Sequence, residues 1–484
     1  MRICLVAAEV APYAKTGGLG DFTAALCRHL ARAGHDVRLF FPAYGSIDRS
    51  RYEIGPVEFL VGVPVFLGHR RLEFDGLYTR LPDSDRQVYL IDCPQLYGGG
   101  YIYSDRIDEP VRFAFLCKAA IECCQRMGWS PDVFHCNDWH TALLPVYARE
   151  SYQWDRLVNR TKSLLTIHNI GYQGVFGART LQSIGLAEAA AMFPQEDLER
   201  DRINFLKTGI LHSDLLTTVS PNHAREIQTD AFGMGLDGLM RRRSDRLVGI
   251  LNGVDYGEWD PSSDPLIPFH YSVDNLRGKA RNKRRLLKDT GLPFRGGTPL
   301  IGMVSRLVKQ KGLDLLPEAL PYLLDRHRIQ LMVLGSGEHR YQTFFHQLQN
   351  HFSDQVFFYQ GFNNELAHRI EAASDIYLMP SLYEPCGLNQ MYSLRYGSVP
   401  IVRRTGGLVD SVQSWDANSG EGTGFVFDHF TPEGLVWAVE RALELFADRP
   451  RWRRIVRNGM SRDFSWQRQV GKYLDLYRWL IDDG

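Results

Sequence analysis

The sequence predicts an α/β protein that contains two parallel sheets. Short apolar, β-branched runs alternate with segments of helical period, which is the pattern of βαβ units. The runs form two series, separated between about residues 222 and 298 by a stretch rich in Pro, Ser and Asp. The chain has 484 residues and is 44% hydrophobic, which is enough for the cores of two or three domains.

The first half of the chain contains the candidate strands of one sheet. A helix is predicted from Gly18 to about Arg32, since its apolar residues recur at steps of three and four. The predicted strands, all before residue 222, are "ICLVAA", "DVRLFFP", "VYLIDCP", "DVFHCND", "SLLTIHN" and "LLTTVS".

The second half repeats the same alternation and ends in a long helix. Its predicted strands are "PLIGMVS", "IQLMVLGSG", "QVFFYQG", "DIYLMPS" and "VPIVRR", and a helical segment follows each. The last segment, "FSWQRQVGKYLDLYRWLI", has the period of an amphipathic helix. We therefore predict two Rossmann-like domains, 1–245 and 246–460, followed by a C-terminal helix within 461–484.

Composition excludes several classes of protein. The 56 basic and 56 acidic residues cancel, so no excess charge attracts nucleic acid or an anionic membrane. No apolar run approaches the roughly 18 residues of a membrane span, and the N-terminus resembles a buried strand rather than a signal peptide. The eight cysteines show no C-x-x-C spacing. We expect the protein to reside in a reducing cytoplasm, or in the plastid stroma if the chain is the mature form of a plant protein.

Two stretches nearly repeat each other, "KTGGLGD" at 15–21 and "RTGGLVD" at 404–410. Each follows a predicted strand and opens a helix, so each lies at the carboxyl edge of its sheet. Open parallel sheets bind ligands at that edge. Glycines there allow the backbone N–H groups at a helix N-terminus to approach an anion.

The two copies have different contexts. Lys15 beside Gly17 and Gly18 favours a phosphate site over a plain turn that starts a helix. Gly406 and Gly407 have a weaker context, and a packing turn that lines the ligand site is an equally good interpretation.

Two cations follow a buried strand of the second half. Arg306 and Lys311, in "SRLVKQKG", could both reach one pyrophosphate from a strand-to-helix turn. The alternative is an exposed basic turn. No D-x-D-like pair at a strand end indicates a metal role, so the sequence predicts no metal and no cofactor.

The stretch "YEPCGLNQMYSLRYG" places a carboxylate before a helix. The backbone N–H groups of Gly387, Leu388 and Asn389 would lie at the helix N-terminus, where they could bind phosphate oxygens. Glu384 could hold sugar hydroxyls and stabilise a cationic transition state, or it could only cap the helix dipole. Cys386 lacks a partner base and is interpreted as a small packed residue of the ligand site.

Polar side chains also follow two strands of the first half. His168 and Asn169 come directly after "LLTI", and Asp138 stands in "FHCNDWHT". The position at a strand end favours a functional His168, whereas His140 is more typical of a structural residue. Asp138 could act as a base for an incoming hydroxyl, or it could only orient its neighbours.

The order of these motifs resembles one family. "KTGGLGD", "HCNDWHTALLP", "TIHNIGYQG", "NGVD", "SRLVKQKGLD" and "PSLYEPCGLNQMYSLRYGSVPIVRRTGGLVD" occur together in bacterial glycogen synthases and plant starch synthases. The resemblance spans nearly the whole chain. It implies a GT-B fold, with two domains facing across a deep cleft and a last helix that crosses back to the first domain. It also implies an ADP-glucose donor, an α-1,4-glucan or malto-oligosaccharide acceptor, and retention of the anomeric configuration.

The resemblance also implies roles for individual residues. It puts His168 against the donor sugar and Asp138 near the reacting groups. It implies acceptor contacts for Glu9, Asp21 and Asn169, and contacts with the donor or the cleft for Tyr97 and Asn252.

Two residues depart from the family pattern, and a third position bears on the mechanism. Many bacterial members have Thr in place of Asn389, and a Tyr is common in place of Phe362, whose ring could still stack on adenine. More distant retaining transferases often carry a second glutamate where this chain has Tyr392. The motifs therefore predict the fold more firmly than they predict a preference for ADP over UDP.

Retention requires either a covalent sugar–enzyme intermediate or attack by the acceptor on the same face of the anomeric carbon from which the phosphate departs. We predict same-face attack, in which the leaving phosphate helps to deprotonate the acceptor. Lys15, Arg306 and Lys311 would hold the diphosphate, and Glu384 would support the cationic sugar. The alternatives are a UDP-sugar transferase with another acceptor and a non-catalytic glucan-binding protein.

Overall fold

The computed structural model describes residues 1–82, 84 and 87–482. The chain forms two compact units. The first comprises Met1–Val219, Ala224–Ile250 and the chain from Trp466 onward, and the second comprises Ser220–His223 and Leu251–Ser465.

The first unit is built on one large mixed sheet with the strand order β12, β11, β8, β7, β1, β2, β6, β5, β3, with β4 paired to β5. The pairs from β12 to β6 are parallel, and the pairs that involve β5 are antiparallel. β9 and β10 pair separately. The strands are β1 Arg2–Val6, β2 Asp36–Pro42, β3 Gly55–Pro56, β4 Val63–Leu67, β5 Arg70–Arg80, β6 Gln87–Asp92, β7 Val133–Asn137, β8 Lys162–Ile167, β9 Val175–Gly177, β10 Arg202–Asn204, β11 Leu215–Thr218 and β12 Leu247–Gly249.

The helices of this part of the chain follow the strands, as βαβ connectivity requires. They are α1 Gly18–Arg32, α2 Pro94–Tyr97, α3 Glu109–Arg126, α4 Asp138–Thr141, α5 Leu144–Glu150, α6 Thr180–Ser183, α7 Gln195–Leu198, α8 Phe205–His212, α9 Pro221–Glu226 and α10 Asp237–Arg242. The predicted helix from Gly18 to Arg32 is confirmed as α1. The antiparallel strands β3 to β5 were not predicted from the sequence.

The second unit contains a parallel sheet with the order β15, β14, β13, β16, β17, β18. Its strands are β13 Leu300–Val304, β14 Gln330–Gly335, β15 Val356–Gln360, β16 Ile376–Met379, β17 Val399–Arg403 and β18 Phe425–Phe427. Its helices are α11 Arg277–Asp289, α12 Leu316–Arg326, α13 His339–His351, α14 Asn364–Ala373, α15 Asn389–Tyr396, α16 Gly406–Ser411, α17 Pro432–Ala447 and α18 Arg449–Met460. Short 3₁₀ turns occupy Ala190–Met192 and Ser244–Arg246 in the first unit, and Lys309–Lys311 and Leu313–Leu315 in the second.

The last helix, α19 (Trp466–Asp482), belongs to the first unit and packs on α1. Trp466 and Tyr473 lie against the ring of Phe22, with ring centroids 5.6 and 5.9 Å away. The Tyr477 hydroxyl shares a 2.6 Å hydrogen bond with Nδ1 of the fully buried His135. The predicted C-terminal helix that crosses back to the first domain is therefore confirmed. Among the described residues, no helix is long and apolar enough to cross a membrane.

We expect Tyr477→Phe to lower the free energy of unfolding by about 1–3 kcal/mol, because Nδ1 of His135 would lose its partner in the core. Urea denaturation of the full chain would measure the change. Tyr322→Phe is the matched control, since Tyr322 is 39% exposed. Equal free energies of unfolding for the two variants would contradict a stabilising role for this bond.

Candidate active site

In the first unit, the buried carboxylate of Glu9 holds the "KTGG" loop. Glu9 is 3% exposed and accepts hydrogen bonds from Thr16 N and Oγ1, both at 2.7 Å, and from Gly17 N at 3.2 Å. The hydroxyl of Tyr103 also donates to Glu9, at 2.5 Å. Every one of these contacts lies within the protein, so Glu9 shapes the loop rather than presenting a free carboxylate to an acceptor.

The loop leaves open space above its glycines. A Cβ added at Gly17 or Gly18 would meet nothing within 4 Å. Lys15 Nζ pairs with the Asp21 carboxylate at 2.7 Å, and the side chains are 46% and 38% exposed. A ligand could therefore approach the backbone at the start of α1, beside a partly exposed ammonium group.

The second copy of the motif has no such space. Gly406 has a φ of +46°, and a Cβ there would lie 1.9 Å from the carbonyl oxygen of Glu384. Gly407 N donates to that same oxygen at 3.0 Å, and a Cβ on Gly407 would lie 2.2 Å from the carbonyl oxygen of Cys386. The glycines at 406 and 407 thus serve packing: they allow the backbone of α16 to support the Glu384 loop.

Glu384 follows β16 and is paired with a lysine. Its Oε2 accepts hydrogen bonds from Lys311 Nζ at 2.6 Å and from Ser381 Oγ at 2.9 Å, and the residue is 6% exposed. Gly312, with a φ of +73°, lets the Lys311 turn pack against Pro380, whose carbonyl oxygen would lie 1.8 Å from an added Cβ. The structure thus brings Glu384 and Lys311 together and fixes both backbones.

Arg306 follows β13 and is exposed. Its guanidinium has no ion-pair partner among the described residues, whereas Lys311 is occupied by Glu384. Of the two predicted cations, Arg306 is therefore the one whose charge is free for an anion.

The first turn of α15 lies at the same edge of the sheet. Gly387 has a φ of +72°, Leu388 is the N-cap and Asn389 is the first helical residue. Asn389 Nδ2 donates to Val304 O and to the Tyr377 hydroxyl, both at 2.8 Å. The Asn389 side chain thus ties the helix start to the end of β13, and only its backbone N–H group belongs to the predicted phosphate site. The backbone N–H groups of Gly387, Leu388 and Asn389 precede the first hydrogen bonds of the helix, which Met391 N and Tyr392 N donate to Leu388 O, and they still suit an anion.

Cys386 and Asn252 are both buried in the second unit. Burial raises the pKa of the Cys386 thiol to about 12, although the backbone N–H of Asn252 points to it. A thiol with that pKa is not a nucleophile at neutral pH. The Asn252 Oδ1 atom is buried and has no hydrogen-bond partner among the described residues.

In the first unit, His168 and Asp138 are in contact. Asp138 has a φ of +56°, and its Oδ1 accepts a 2.7 Å hydrogen bond from His168 N. Burial raises the pKa of Asp138 to about 7 and lowers the pKa of His168 to about 3. At pH 7 the imidazole is therefore neutral, and the carboxyl is divided between its two protonation states.

The tautomer of His168 follows from its neighbours. Asn137 Nδ2 donates to Val6 O at 3.0 Å, so Asn137 Oδ1 is left to accept a hydrogen bond from His168 Nε2 at 2.9 Å. A neutral imidazole that is protonated at Nε2 has an acceptor at Nδ1. The ring is further held by Phe22, edge to face at 4.6 Å between centroids. Asn169 Oδ1 accepts from Gly171 N at 3.0 Å and shapes the next turn.

The predicted contact of Tyr97 with the donor or the cleft is wrong. The residue is 1% exposed, and its hydroxyl donates to Arg112 O at 2.7 Å, so it offers no ring face to a sugar. Tyr103, which the sequence analysis missed, is the tyrosine that reaches the loop through Glu9. Its ring also stacks on His140 at 4.8 Å, which accords with a structural role for that histidine. The sequence contained a tyrosine-rich segment here, but no spacing rule distinguishes its members.

Phe362 lies in the loop between β15 and α14 and is 86% exposed, so its ring faces are available for stacking. Among the described residues, no cluster of His, Cys, Asp and Glu is arranged to hold a metal ion.

Protonation of Asp138 makes stability depend on pH. Because its pKa is about 7 in the folded chain and ordinarily near 3.8, the folded form keeps a proton between those values that the unfolded form loses. We expect the free energy of unfolding of the wild type to fall, relative to Asp138→Asn, by roughly 1 kcal/mol per pH unit from pH 4 to 7. Denaturant titrations at a series of pH values would measure the difference.

The control for that experiment is Asp230→Asn, since the Asp230 side chain is 91% exposed. Its stability curve should run parallel to that of the wild type over the same pH range. A parallel curve for Asp138→Asn as well would show that Asp138 is already ionised in the folded chain at pH 4.

Comparison with known proteins gives the family. Residues 2–242 match the family described as "Starch synthase catalytic domain", and residues 287–459 match "Glycosyl transferases group 1". The glycogen synthase of Anaeromyxobacter dehalogenans (strain 2CP-C) is 43% identical over 99% of this chain and 100% of its own length. Glycogen synthase 2 of Geobacter sulfurreducens is 42% identical over 100% of this chain and 99% of its own.

Solved structures agree. The catalytic domain of starch synthase IV from Arabidopsis thaliana, bound to ADP and acarbose, superposes with a TM-score of 0.92 at 34% identity and covers 99% of both chains. Sucrose-phosphate synthase from Thermosynechococcus elongatus, at 18% identity and a TM-score of 0.63 over 100% of both chains, shares the GT-B fold. The chain therefore belongs to the family of glycogen and starch synthases, the glycosyltransferases that extend an α-1,4-glucan with glucose from ADP-glucose.

Proposed function

We propose that this chain transfers glucose from ADP-glucose to the non-reducing end of an α-1,4-glucan or malto-oligosaccharide, with retention of the anomeric configuration. The observation that carries the proposal is the ion pair between Lys311, which follows β13, and the buried Glu384, which follows β16, at the sheet edge where the Arg306 charge is free. When the donor reacts, the nucleoside diphosphate leaves the sugar. Cations stabilise the negative charge of the departing diphosphate, and a carboxylate stabilises the positive charge that develops on the sugar. The second unit contains both.

The second unit is proposed to bind the donor. Arg306 and the first-turn N–H groups of α15 would hold the diphosphate, because both suit anionic oxygens. Lys311 orients Glu384 and contributes a further positive charge. The exposed ring of Phe362 would stack on the adenine, and Asn252 would offer its unpartnered Oδ1 to a ligand hydroxyl.

The first unit is proposed to bind the sugars. Nδ1 of His168 would accept a hydrogen bond from a donor glucose hydroxyl, and Asn137 keeps the imidazole in the tautomer that allows this. Lys15, with the open backbone of Gly17 and Gly18, would bind a phosphate. Asp21 and Asn169 are proposed acceptor contacts.

We propose same-face substitution for the chemical step. The bond between the anomeric carbon and the ADP oxygen breaks, the acceptor 4-hydroxyl oxygen bonds to the same face of that carbon, and its proton passes to the leaving phosphate. Glu384 would stabilise the positive charge that develops on the sugar. In this scheme Asp138 orients the His168 backbone through Oδ1, which accepts from His168 N, and takes no part in the transfer of the acceptor proton.

The proposed compartment is the cytoplasm. All eight cysteines are free thiols and are buried, which suits a reducing environment.

We expect Glu384→Gln to lower kcat by about 100- to 1000-fold, because the amide cannot balance a developing positive charge. Glucan elongation and ADP release would be measured with ADP-glucose and with UDP-glucose, each with and without a malto-oligosaccharide primer. Glu365→Gln is the matched control, since the side chain of Glu365 on α14 is 63% exposed. Transfer by the wild type from UDP-glucose but not from ADP-glucose would contradict ADP-glucose as the donor. Glucan binding without any transfer would favour the non-catalytic alternative.

A second variant tests the adenine contact. We expect Phe362→Ala to raise the KM for ADP-glucose about tenfold with little change in kcat, because stacking of a base on an aromatic ring contributes about 1–3 kcal/mol. Phe294→Ala, which truncates a 46% exposed ring of the same unit, should leave both constants unchanged. Identical KM values for the two variants would exclude Phe362 from the donor site.

A further inference from the structure

Three large apolar side chains are exposed near the segment that follows His168. Tyr172 is 59% exposed, Val175 is 51% exposed and Met234 is 44% exposed. We call these three residues the apolar platform. Tyr172 stands in the motif "TIHNIGYQG", but that motif gave it no role, and the proposed chemistry uses none of the three side chains.

The backbone that carries the platform is tightly held. Gln173 Nε2 donates to Ile170 O at 3.1 Å and to Met234 O at 3.0 Å, and Gln173 Oε1 accepts from Asn204 Nδ2 at 2.7 Å. One side chain thus joins the loop of Tyr172 to the loop of Met234 and to the start of α8.

Close packing at Gly174 also holds the segment that carries Tyr172 and Val175. Gly174 has a φ of +62°, a Cβ there would lie 2.3 Å from the ring of Trp139, and its carbonyl oxygen accepts from Phe205 N at 3.0 Å. Exposure of Tyr172 and Val175 is therefore a property of a rigid, closely packed turn and does not come from loose packing.

Met234 is also in an unfavourable backbone conformation. Its φ is +48°, in the left-handed region that side chains with a Cβ avoid at a cost of order 1 kcal/mol. Glycine would remove that cost, and the next residue, Gly235, has a φ of +80°. A strained backbone that presents an exposed methionine indicates that the side chain has a use.

Tyr172 of the platform lies close to the proposed sugar site. Tyr172 N donates to Asn169 O at 3.2 Å, within the turn that Asn169 Oδ1 shapes. Tyr172 is four positions after His168, so their Cα atoms are at most about 14 Å apart. A polymer that reacts beside His168 would pass close to the platform.

We propose that Tyr172, Val175 and Met234 form a subsite for glucose units of the glucan acceptor beyond the unit that reacts. The proposal rests on the proposed function and extends it to acceptor length. The apolar face of a glucose ring packs on aromatic and aliphatic side chains, and a neutral polymer requires no charge there. Asn169 Nδ2, on the same segment, can donate to a sugar hydroxyl, since Asn169 uses its Oδ1 for Gly171 N.

The test uses acceptors of different length with the full chain. We expect Tyr172→Ala to raise the KM for maltoheptaose and glycogen about 5- to 10-fold, because it removes a stacking surface. The KM for ADP-glucose and the KM for maltose should change less than twofold. Tyr172→Phe, which keeps the ring, should behave as wild type.

Trp154→Ala is the matched control. Trp154 is 71% exposed in the same unit, in the turn after α5, and its loss should leave every acceptor KM unchanged. Equal effects of Tyr172→Ala on maltose and maltoheptaose, or an effect on ADP-glucose, would overturn the subsite. Thermal midpoints of the variants would exclude misfolding as the cause.

Met234→Gly gives an independent readout. It removes both the strain and the side chain, so we expect a higher thermal midpoint together with a higher KM for maltoheptaose. An increase in stability with an unchanged KM for long acceptors would remove Met234 from the subsite.

Failure of the subsite can be distinguished from failure of the proposed function. Calorimetric titration of maltoheptaose into wild type and Tyr172→Ala measures acceptor binding without turnover. If the wild type binds maltoheptaose more tightly than Tyr172→Ala does but transfers no glucose, the proposed reaction fails and the subsite stands. If both chains bind it equally, the subsite fails, whatever the activity.

Discussion

A buried carboxylate must be paired or hydrogen-bonded, because an isolated charge in the interior is very costly. Both units depend on this constraint. Glu9, 3% exposed, is satisfied by the "KTGG" loop and by Tyr103, while Glu384, 6% exposed, is satisfied by Lys311 and Ser381. In each unit, the hydrogen bonds and ion pairs of the buried carboxylate hold the loop that follows a parallel strand. They therefore also hold the residues of the candidate site.

The near-repeat of T-G-G-L illustrates how one motif serves two purposes. At 17 and 18 the glycines border open space, which suits close approach of a ligand to the backbone. At 406 and 407 they border the backbone of Glu384 and Cys386 at distances that no Cβ could occupy. The same absence of a side chain gives access in the first unit and close packing in the second.

Two residues have backbone conformations that are unfavourable for a residue with a side chain, and one of them also has a shifted pKa. Asp138 and Met234 have positive φ, and burial raises the pKa of Asp138 to about 7. Such strain persists where surrounding contacts fix the residue, and it is common at functional positions. The hydrogen bonds from His168 N to Asp138 and from Gln173 Nε2 to Met234 O supply those contacts here.

The sequence by itself determined the α/β class, the two parallel series of strands, α1 and the long last helix, because hydrophobic period and turn residues are local signals. Specific motifs also placed Arg306, Lys311, Glu384 and His168 at strand ends. Only the tertiary structure decided which of these groups meet. It paired Lys311 with Glu384, turned the Asn389 side chain into a tether for β13, buried Tyr97 and brought Tyr103 to Glu9. Contacts between residues far apart in the chain depend on packing and burial, and no spacing along the sequence encodes them.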